Sequence, residues 1–95
     1  MFNNQRYVTR GITNTVPLVT QIILWDCIDS VKVERKDYLQ VFKLVANGTN
    51  QQVTHSQEEP AYVRTFTFPI DEPITAKIFV IDDETHSTML LAEEY

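Results

Sequence analysis

The stretch Pro17–Val33, PLVTQIILWDCIDSVKV, decides how this chain folds. Its apolar residues recur at the spacing of a helix, and proline suits a first helical turn because its missing N–H would have no partner there. The pattern predicts one main helix that begins at Pro17 and ends near Glu34. The remaining elements are expected to pack around this helix.

The apolar side chains of the predicted helix cover more than one face. With about 100° between successive residues, one stripe roughly 120° wide suits contact with a sheet, and it contains Leu18, Ile22, Trp25 and Ile28. Four apolar residues outside that stripe are the candidate interface residues, namely Val19, Ile23, Leu24 and Val31. Contiguous exposed apolar surface is typical of an interface. We therefore expect either a protein partner or part of this chain, residues 49–60 or the N-terminal arm, to cover it.

Six segments carry the alternating or β-branched patterns of strands: Tyr7–Ile12, Asp37–Val45, Gln52–Gln57, Ala61–Phe68, Thr75–Ile81 and Ser87–Ala92. Asn47-Gly48 predicts a two-residue hairpin turn after the second of them. Gln52–Gln57 is polar apart from Val53, which predicts an edge strand or a solvent-facing ribbon. Together these elements predict a single α+β domain over residues 1–95, with a largely antiparallel sheet of five or six strands packed against one main helix.

Composition and charge exclude several classes of protein. The chain has 43% hydrophobic and 22% charged residues, as an ordinary folded domain does. Thirteen acidic and eight basic residues leave a formal charge of −5, and without a basic cluster no nucleic acid is expected as a partner. Gln21, Asp26 and Asp29 interrupt the apolar run of the helix, so no membrane segment is predicted. The N-terminal sequence lacks the features of a secretory signal, so a cytoplasmic location is expected.

No catalytic constellation or cofactor motif is evident, so a non-enzymatic role without a cofactor is favoured. Asp82, Asp83 and His86 place carboxylates beside an imidazole and are weak candidates for a divalent metal site. They lack the ligand spacing and the glycine of a calcium loop. A solvated hairpin turn is therefore the favoured interpretation of this segment.

Other reactive residue types have plain structural interpretations. His55 lies on the polar ribbon and is expected to be exposed, and Cys27, the one cysteine, is expected to be an unreactive helix thiol. Arg6, Arg10 and Arg64 could converge on an anionic ligand if their strands were neighbours. Pairing with the many carboxylates is the favoured alternative. The C-terminal residues, 93–95, are expected to be a frayed polar end.

Three stretches resemble a known family: YVTRGI (Tyr7–Ile12), DYLQVFKL (Asp37–Leu44) and KIFVIDDETHSTMLLAEEY (Lys77–Tyr95). Together with the helix that begins at Pro17, they are similar to the domain of unknown function 960 family over nearly the whole chain. The resemblance implies a small cytosolic protein of the Firmicutes. It implies no activity, ligand or catalytic residue.

Two hypotheses of function follow. The first is a small non-catalytic cytosolic interaction or regulatory protein, whose apolar helix surface binds a protein partner or a second copy in a homodimer. The second is a small-ligand or divalent-metal-binding protein with a weak site at the 82–86 turn. The excess of apolar residues on the helix favours the first hypothesis.

Overall fold

A computed structural model describes all of residues 1–95. The chain forms six strands, two α-helices and a final 3₁₀ turn. The strands are β1 (Gln5–Val8), β2 (Leu39–Asn47), β3 (Asn50–Gln57), β4 (Tyr62–Pro69), β5 (Ala76–Asp82) and β6 (His86–Leu91). The helices are α1 (Arg10–Thr15) and α2 (Leu18–Ser30), and the 3₁₀ turn spans Ala92–Glu94.

The six strands form one sheet in the order β1-β6-β5-β2-β3-β4. Only the β1–β6 pair is parallel, and the other four pairs are antiparallel. The predicted α+β class with a largely antiparallel sheet is therefore confirmed. No helix in this fold is both long enough and apolar enough to cross a bilayer.

The core lies between the helices and one face of the sheet. Cross-strand partners such as Phe42 and Ile78, or Val80 and Met89, share that face and are fully buried. Burying a large apolar side chain stabilises a fold by about 1.5–3 kcal/mol, so this layer holds the elements together. From the helices and the N-terminal arm the core includes Phe2, Ile12, Val16, Leu24, Cys27 and Ile28.

The predicted sheet-facing stripe of the main helix is only partly correct, because two of its members, Trp25 and Ile28, contact the core. Leu24 and Ile28 are fully buried, whereas Leu18 and Ile22 of the predicted stripe are 70% and 58% exposed. The buried face also includes two polar residues, Thr20 and Gln21. Gln21 tolerates burial because its Nε2 donates to the Val16 carbonyl at 2.9 Å. The helix ends at Ser30 rather than near Glu34, since Val31 has extended backbone angles.

The predicted strand Tyr7–Ile12 is only partly correct, because it ends at Val8 and α1 begins at Arg10. The Thr9 hydroxyl caps α1 by accepting from the Ile12 N–H at 3.3 Å. Glu94, from the far end of the chain, accepts from the Thr9 hydroxyl at 2.7 Å and from the Gly11 N–H at 3.3 Å. These bonds lower the pKa of the Glu94 carboxyl. The C-terminal segment is therefore anchored rather than frayed.

The predicted hairpin is confirmed, but its two-residue turn is Gly48-Thr49, one residue later than predicted, because Asn47 pairs with Asn50. Gly48 has a φ of +62°, which a residue without a Cβ adopts at little cost. The strand that follows differs from expectation, because β3 lies between β2 and β4 instead of at an edge. Its buried polar side chains are tolerated because His55 and Gln57 bond to Gln40 of β2 and Gln51 bonds to the backbone of Ile74.

Candidate functional site

The four candidate interface residues do not form one surface. Val19 is 52% exposed, whereas Ile23 and Val31 are half-buried. Leu24 has no exposed surface and belongs to the core, so its assignment to an interaction surface is wrong. The physical reason is that α2 lies on the sheet with Leu24 at the centre of its buried face.

The exposed apolar surface of α2 lies at its N-terminal half. We call it the helix patch, and it consists of Leu18, Val19 and Ile22, each more than half exposed. Residues three and four positions apart are neighbours on a helix surface, so Ile22 lies beside both Val19 and Leu18 and connects the three side chains. Asp26, which is exposed and in no salt bridge, follows Ile22 by one turn. The helix patch therefore has one free carboxylate at its edge.

The 82–86 turn holds its own polar groups. Asp83 Oδ1 accepts from the N–H groups of Thr85 and His86 at 3.0 and 2.9 Å, and its Oδ2 lies 3.1 Å from His86 Nε2. These hydrogen bonds lower the pKa of the Asp83 carboxyl. The carboxylate and imidazole atoms that could bind a metal are therefore already bonded to groups within the turn.

The Asp82 carboxyl lies between this turn and the N-terminal arm and accepts hydrogen bonds from both. Burial acts to raise the pKa of its carboxyl, but hydrogen bonds outweigh it and lower the pKa. They come from the Phe2 N–H at 2.6 Å, the Glu84 N–H at 2.7 Å and Asn4 Nδ2 at 3.1 Å. Asp82, Asp83 and His86 do not converge, and no group of three or more metal-binding side chains occurs in the chain.

The prediction that His55 is exposed is wrong, because only 1% of the residue is exposed. Its ring stacks on Phe42 with centroids 4.4 Å apart, and Tyr62 packs edge-on against it. Burial, together with the charge of Arg64, lowers the pKa of His55 to about 4. The imidazole is therefore neutral at pH 7.

A chain of buried amides fixes the orientation of His55. Gln57 Nε2 donates to the carbonyls of Arg35 and Pro60, so its Oε1 accepts from Gln40 Nε2 at 2.7 Å. Gln40 Oε1 in turn faces His55 Nε2 at 2.6 Å, which makes Nε2 the protonated nitrogen. The network holds the imidazole as a structural group of the core.

The sequence contains one indication that His55 and its neighbours on β3 are buried. Strand side chains alternate between faces, so Val53 marks the buried face that Gln51, His55 and Gln57 share. Because three of the four residues on this face are polar, hydropathy alone does not identify it as the buried face.

Cys27 and Arg6 match their structural interpretations, whereas Arg10 and Arg64 take part in no salt bridge. Cys27 is buried, and this burial raises the pKa of its thiol to about 11, so it carries no thiolate at neutral pH. Arg6 pairs with Asp29 and lies 4.7 Å above the Trp25 ring. Arg64 lies on β4, at the opposite edge of the sheet from Arg6. The arginines therefore do not converge on one anion.

Comparisons with known proteins agree with this description. The family model DUF960, "Staphylococcal protein of unknown function", matches residues 5–94. A crystal structure of a protein of unknown function from Enterococcus faecalis is similar, with a TM-score of 0.85 and 26% identity over 98% of this chain and 92% of that chain. No curated protein matches the chain.

Proposed function

Since this chain belongs to the DUF960 family of proteins of unknown function, we propose from its geometry that it is a non-catalytic interaction protein of the cytoplasm, which binds an apolar segment of another protein through the helix patch. The observation that carries the proposal is the exposure of three adjacent aliphatic side chains on α2, Leu18, Val19 and Ile22. Complete burial of such a side chain stabilises by about 1.5–3 kcal/mol, and because each of the three is more than half exposed, a partner would supply a large part of that amount.

The state of the reactive side chains supports a non-catalytic role. His55 and Cys27 are buried, with pKa values of about 4 and about 11, so neither exchanges a proton readily near pH 7. His86 is engaged with Asp83 and Thr85 in a surface turn. Thr85 Oγ1 lies 2.9 Å from His86 Nδ1, but this hydroxyl donates its proton to Asp83 Oδ1 at 2.8 Å.

The surroundings of the helix patch define the chemistry of its partner. Asp26 is the nearest carboxylate along α2, and it takes part in no salt bridge. The chain as a whole carries a formal charge of −5. An apolar segment with a lysine or arginine beside it would therefore complement the patch better than an acidic one.

A site-specific photo-crosslinker tests the proposal in the bacterium that makes this protein. The crosslinking residue replaces Ile22 in one variant and the exposed Asn14 of α1 in a matched control. We expect an adduct with a different protein from position 22 and none from position 14. An adduct with a second copy, or equal adducts from both positions, would overturn the assignment.

Direct binding to the purified adduct partner then tests the residues. The double change Val19→Ser and Ile22→Ser should weaken binding by about 30-fold or more, because it removes two apolar contacts. Asp26→Asn should weaken binding by only about threefold, as expected for an exposed ion pair. Asn14→Ser is the control and should leave the dissociation constant unchanged. Unaltered binding by the double variant would contradict the proposal.

A further inference from the structure

The free edge of β4 is the second unpartnered feature of the fold. β4 is the last strand of the sheet and has eight residues, so its outer side has no neighbouring strand. Its side chains are open to solvent there, as the 69% exposure of Val63 illustrates. The other edge strand, β1, has only four residues.

The register shows which backbone groups of β4 are free. The two-residue hairpin makes Asn47 and Asn50 a hydrogen-bonded pair, so Gln51, Val53 and His55 direct their backbone groups toward β4. Their partners on β4 are Phe68, Phe66 and Arg64, and the bond from the Ile70 N–H to the Thr49 carbonyl continues this alternation. The N–H and C=O groups that point outward are those of Val63, Thr65 and Thr67, and none of them has a partner elsewhere in the chain.

This edge is only partly blocked against pairing. Pro69 ends the strand, and the backbone from Tyr62 to Phe68 is free of proline. The one charged residue in that stretch, Arg64, lies on the same face as the buried His55. Natural edge strands are commonly blocked by proline, inward-pointing charge or a bulge. Val63, Thr65 and Thr67, whose backbone groups point to the free edge, are β-branched and favour the strand conformation.

Both ends of β4 carry unpaired negative charge. Glu58 and Glu59 precede the strand, Asp71 and Glu72 follow it, and all four residues are exposed and in no salt bridge. Antiparallel pairing of β4 with a second copy would bring the first acidic pair toward the second at each end. Such flanking charges oppose self-association but favour a strand of opposite charge.

We infer that the free edge of β4 binds an extended segment of another protein, with lysine or arginine at both ends and β-branched or aromatic residues between them. The segment would add a seventh strand through the outward backbone groups of Val63, Thr65 and Thr67. On the helix-covered face, side chains of the bound segment would pack beside Tyr62, Phe66 and Phe68. The residue of the segment opposite Arg64 would be acidic or aromatic, since both bind a guanidinium group. This site is separate from the helix patch and does not depend on it.

Selection from a displayed library of random nine-residue peptides tests the inference without assuming a sequence. Peptides are selected on the full chain and counter-selected on Thr65→Pro, which removes one outward N–H and leaves the bonds between β3 and β4 intact. We expect enrichment of peptides with basic ends and a β-branched or aromatic centre. No enrichment over the proline variant would overturn the inference.

One enriched peptide, synthesised with a fluorophore, gives the quantitative test by anisotropy. Thr65→Pro should weaken binding by about 10-fold or more, while Thr65→Val, which keeps the N–H, should change it less than about twofold. Neutralising Glu58, Glu59, Asp71 and Glu72 to their amides should weaken binding at low salt and flatten its salt dependence. Equal binding of a peptide with glutamate ends would contradict the charge assignment.

Two further measurements keep the outcome decisive. If Thr65→Pro does not fold, as judged by circular dichroism, the enriched peptide N-methylated at its central residue replaces it and should fail to bind. Light scattering determines the mass of the chain without peptide. A dimer that Thr65→Pro dissociates would mean that a second copy occupies the edge, which overturns the inference. Neither result bears on binding at Val19 and Ile22.

Discussion

His55 shows at the residue scale how burial converts a titratable group into a pH-dependent element of stability. Its pKa is about 4 in the folded chain, compared with an ordinary value near 6.5. The unfolded chain therefore binds more protons between these values, and folding stability falls as the pH is lowered through that window. We expect a loss of about 2 kcal/mol between pH 7 and pH 5, measured by urea unfolding.

The matched variants are His55→Gln and His86→Gln. The first removes the buried titrating group and should flatten the stability profile from pH 7 to pH 5, although it lowers stability at pH 7 by disturbing the Phe42 stack. The second removes an exposed imidazole and should retain the fall. A profile that stays steep in His55→Gln would assign the pH dependence to another group.

Asp82 is the second residue whose charge is stabilised by its surroundings. It accepts hydrogen bonds from Phe2, Asn4 and Glu84, and the lowered pKa of its carboxyl means that the folded state favours the ionised form. The ionised Asp82 carboxylate stabilises the folded chain at pH values above its pKa in the unfolded chain. This stabilisation is lost as the pH falls through the lower pKa of Asp82 in the folded chain.

The change Asp82→Asn tests this role at pH 7. It replaces an acceptor oxygen with a donor amide facing other donors, so we expect a loss of about 2 kcal/mol in the free energy of unfolding. Asp83→Asn, in the exposed part of the same turn, is the control and should cost less. Equal losses for the two variants would mean that the buried orientation of Asp82 has no special weight.

At the scale of elements, α2 is apolar on more than one face, and its buried face includes polar residues. Thr20, Gln21 and Cys27 are buried with Leu24 and Ile28, while the aliphatic helix patch faces outward. Hydropathy periodicity correctly places Trp25 and Ile28 against the core but wrongly adds Leu18 and Ile22, because it assigns no weight to a buried amide that finds a hydrogen-bond partner.

Two alanine variants distinguish the two faces of α2. Leu24→Ala should lower the free energy of unfolding by about 3 kcal/mol, since it leaves a cavity in the core. Ile22→Ala should change it by less than about 0.5 kcal/mol, because the side chain is exposed in the isolated chain. Denaturant titration measures both, and a large loss for Ile22→Ala would show that the helix patch is covered in solution.

At the scale of the whole molecule, the N-terminal arm packs into the core and connects several elements of the fold. Phe2 has no exposed surface and a φ of +67°, a conformation that is costly for a large side chain. Its N–H donates to Asp82, and its carbonyl accepts from Arg6, which also pairs with Asp29 of α2. The arm therefore links β5, β1 and the helix.

Phe2→Ala tests the contribution of this closure to the stability of the molecule. We expect a loss of about 3–4 kcal/mol, measured by thermal or denaturant unfolding, because the substitution empties a site in the core. Phe2→Leu keeps most of the apolar volume and should lose less than about 1.5 kcal/mol. A negligible effect of Phe2→Ala would mean that the arm is not docked in solution.

The sequence alone determined the α+β class, the main helix starting next to Pro17, the Asn47-Gly48 hairpin and five of the six strands to within a few residues. These features depend on local periodicity and turn chemistry, which short segments specify by themselves. The β1–α1 boundary was missed because Glu94 helps to cap that helix from the opposite end of the chain.

Only the tertiary structure decided the strand order, the buried face of α2 and the interior position of His55. Strand order depends on which edges meet, and burial of a polar side chain depends on partners far away in sequence. Gln40 and His55, for example, are fifteen residues apart, and each satisfies the other. The free edge of β4 and the exposed helix patch also follow from the assembled sheet, because a surface is defined by what the rest of the chain leaves uncovered.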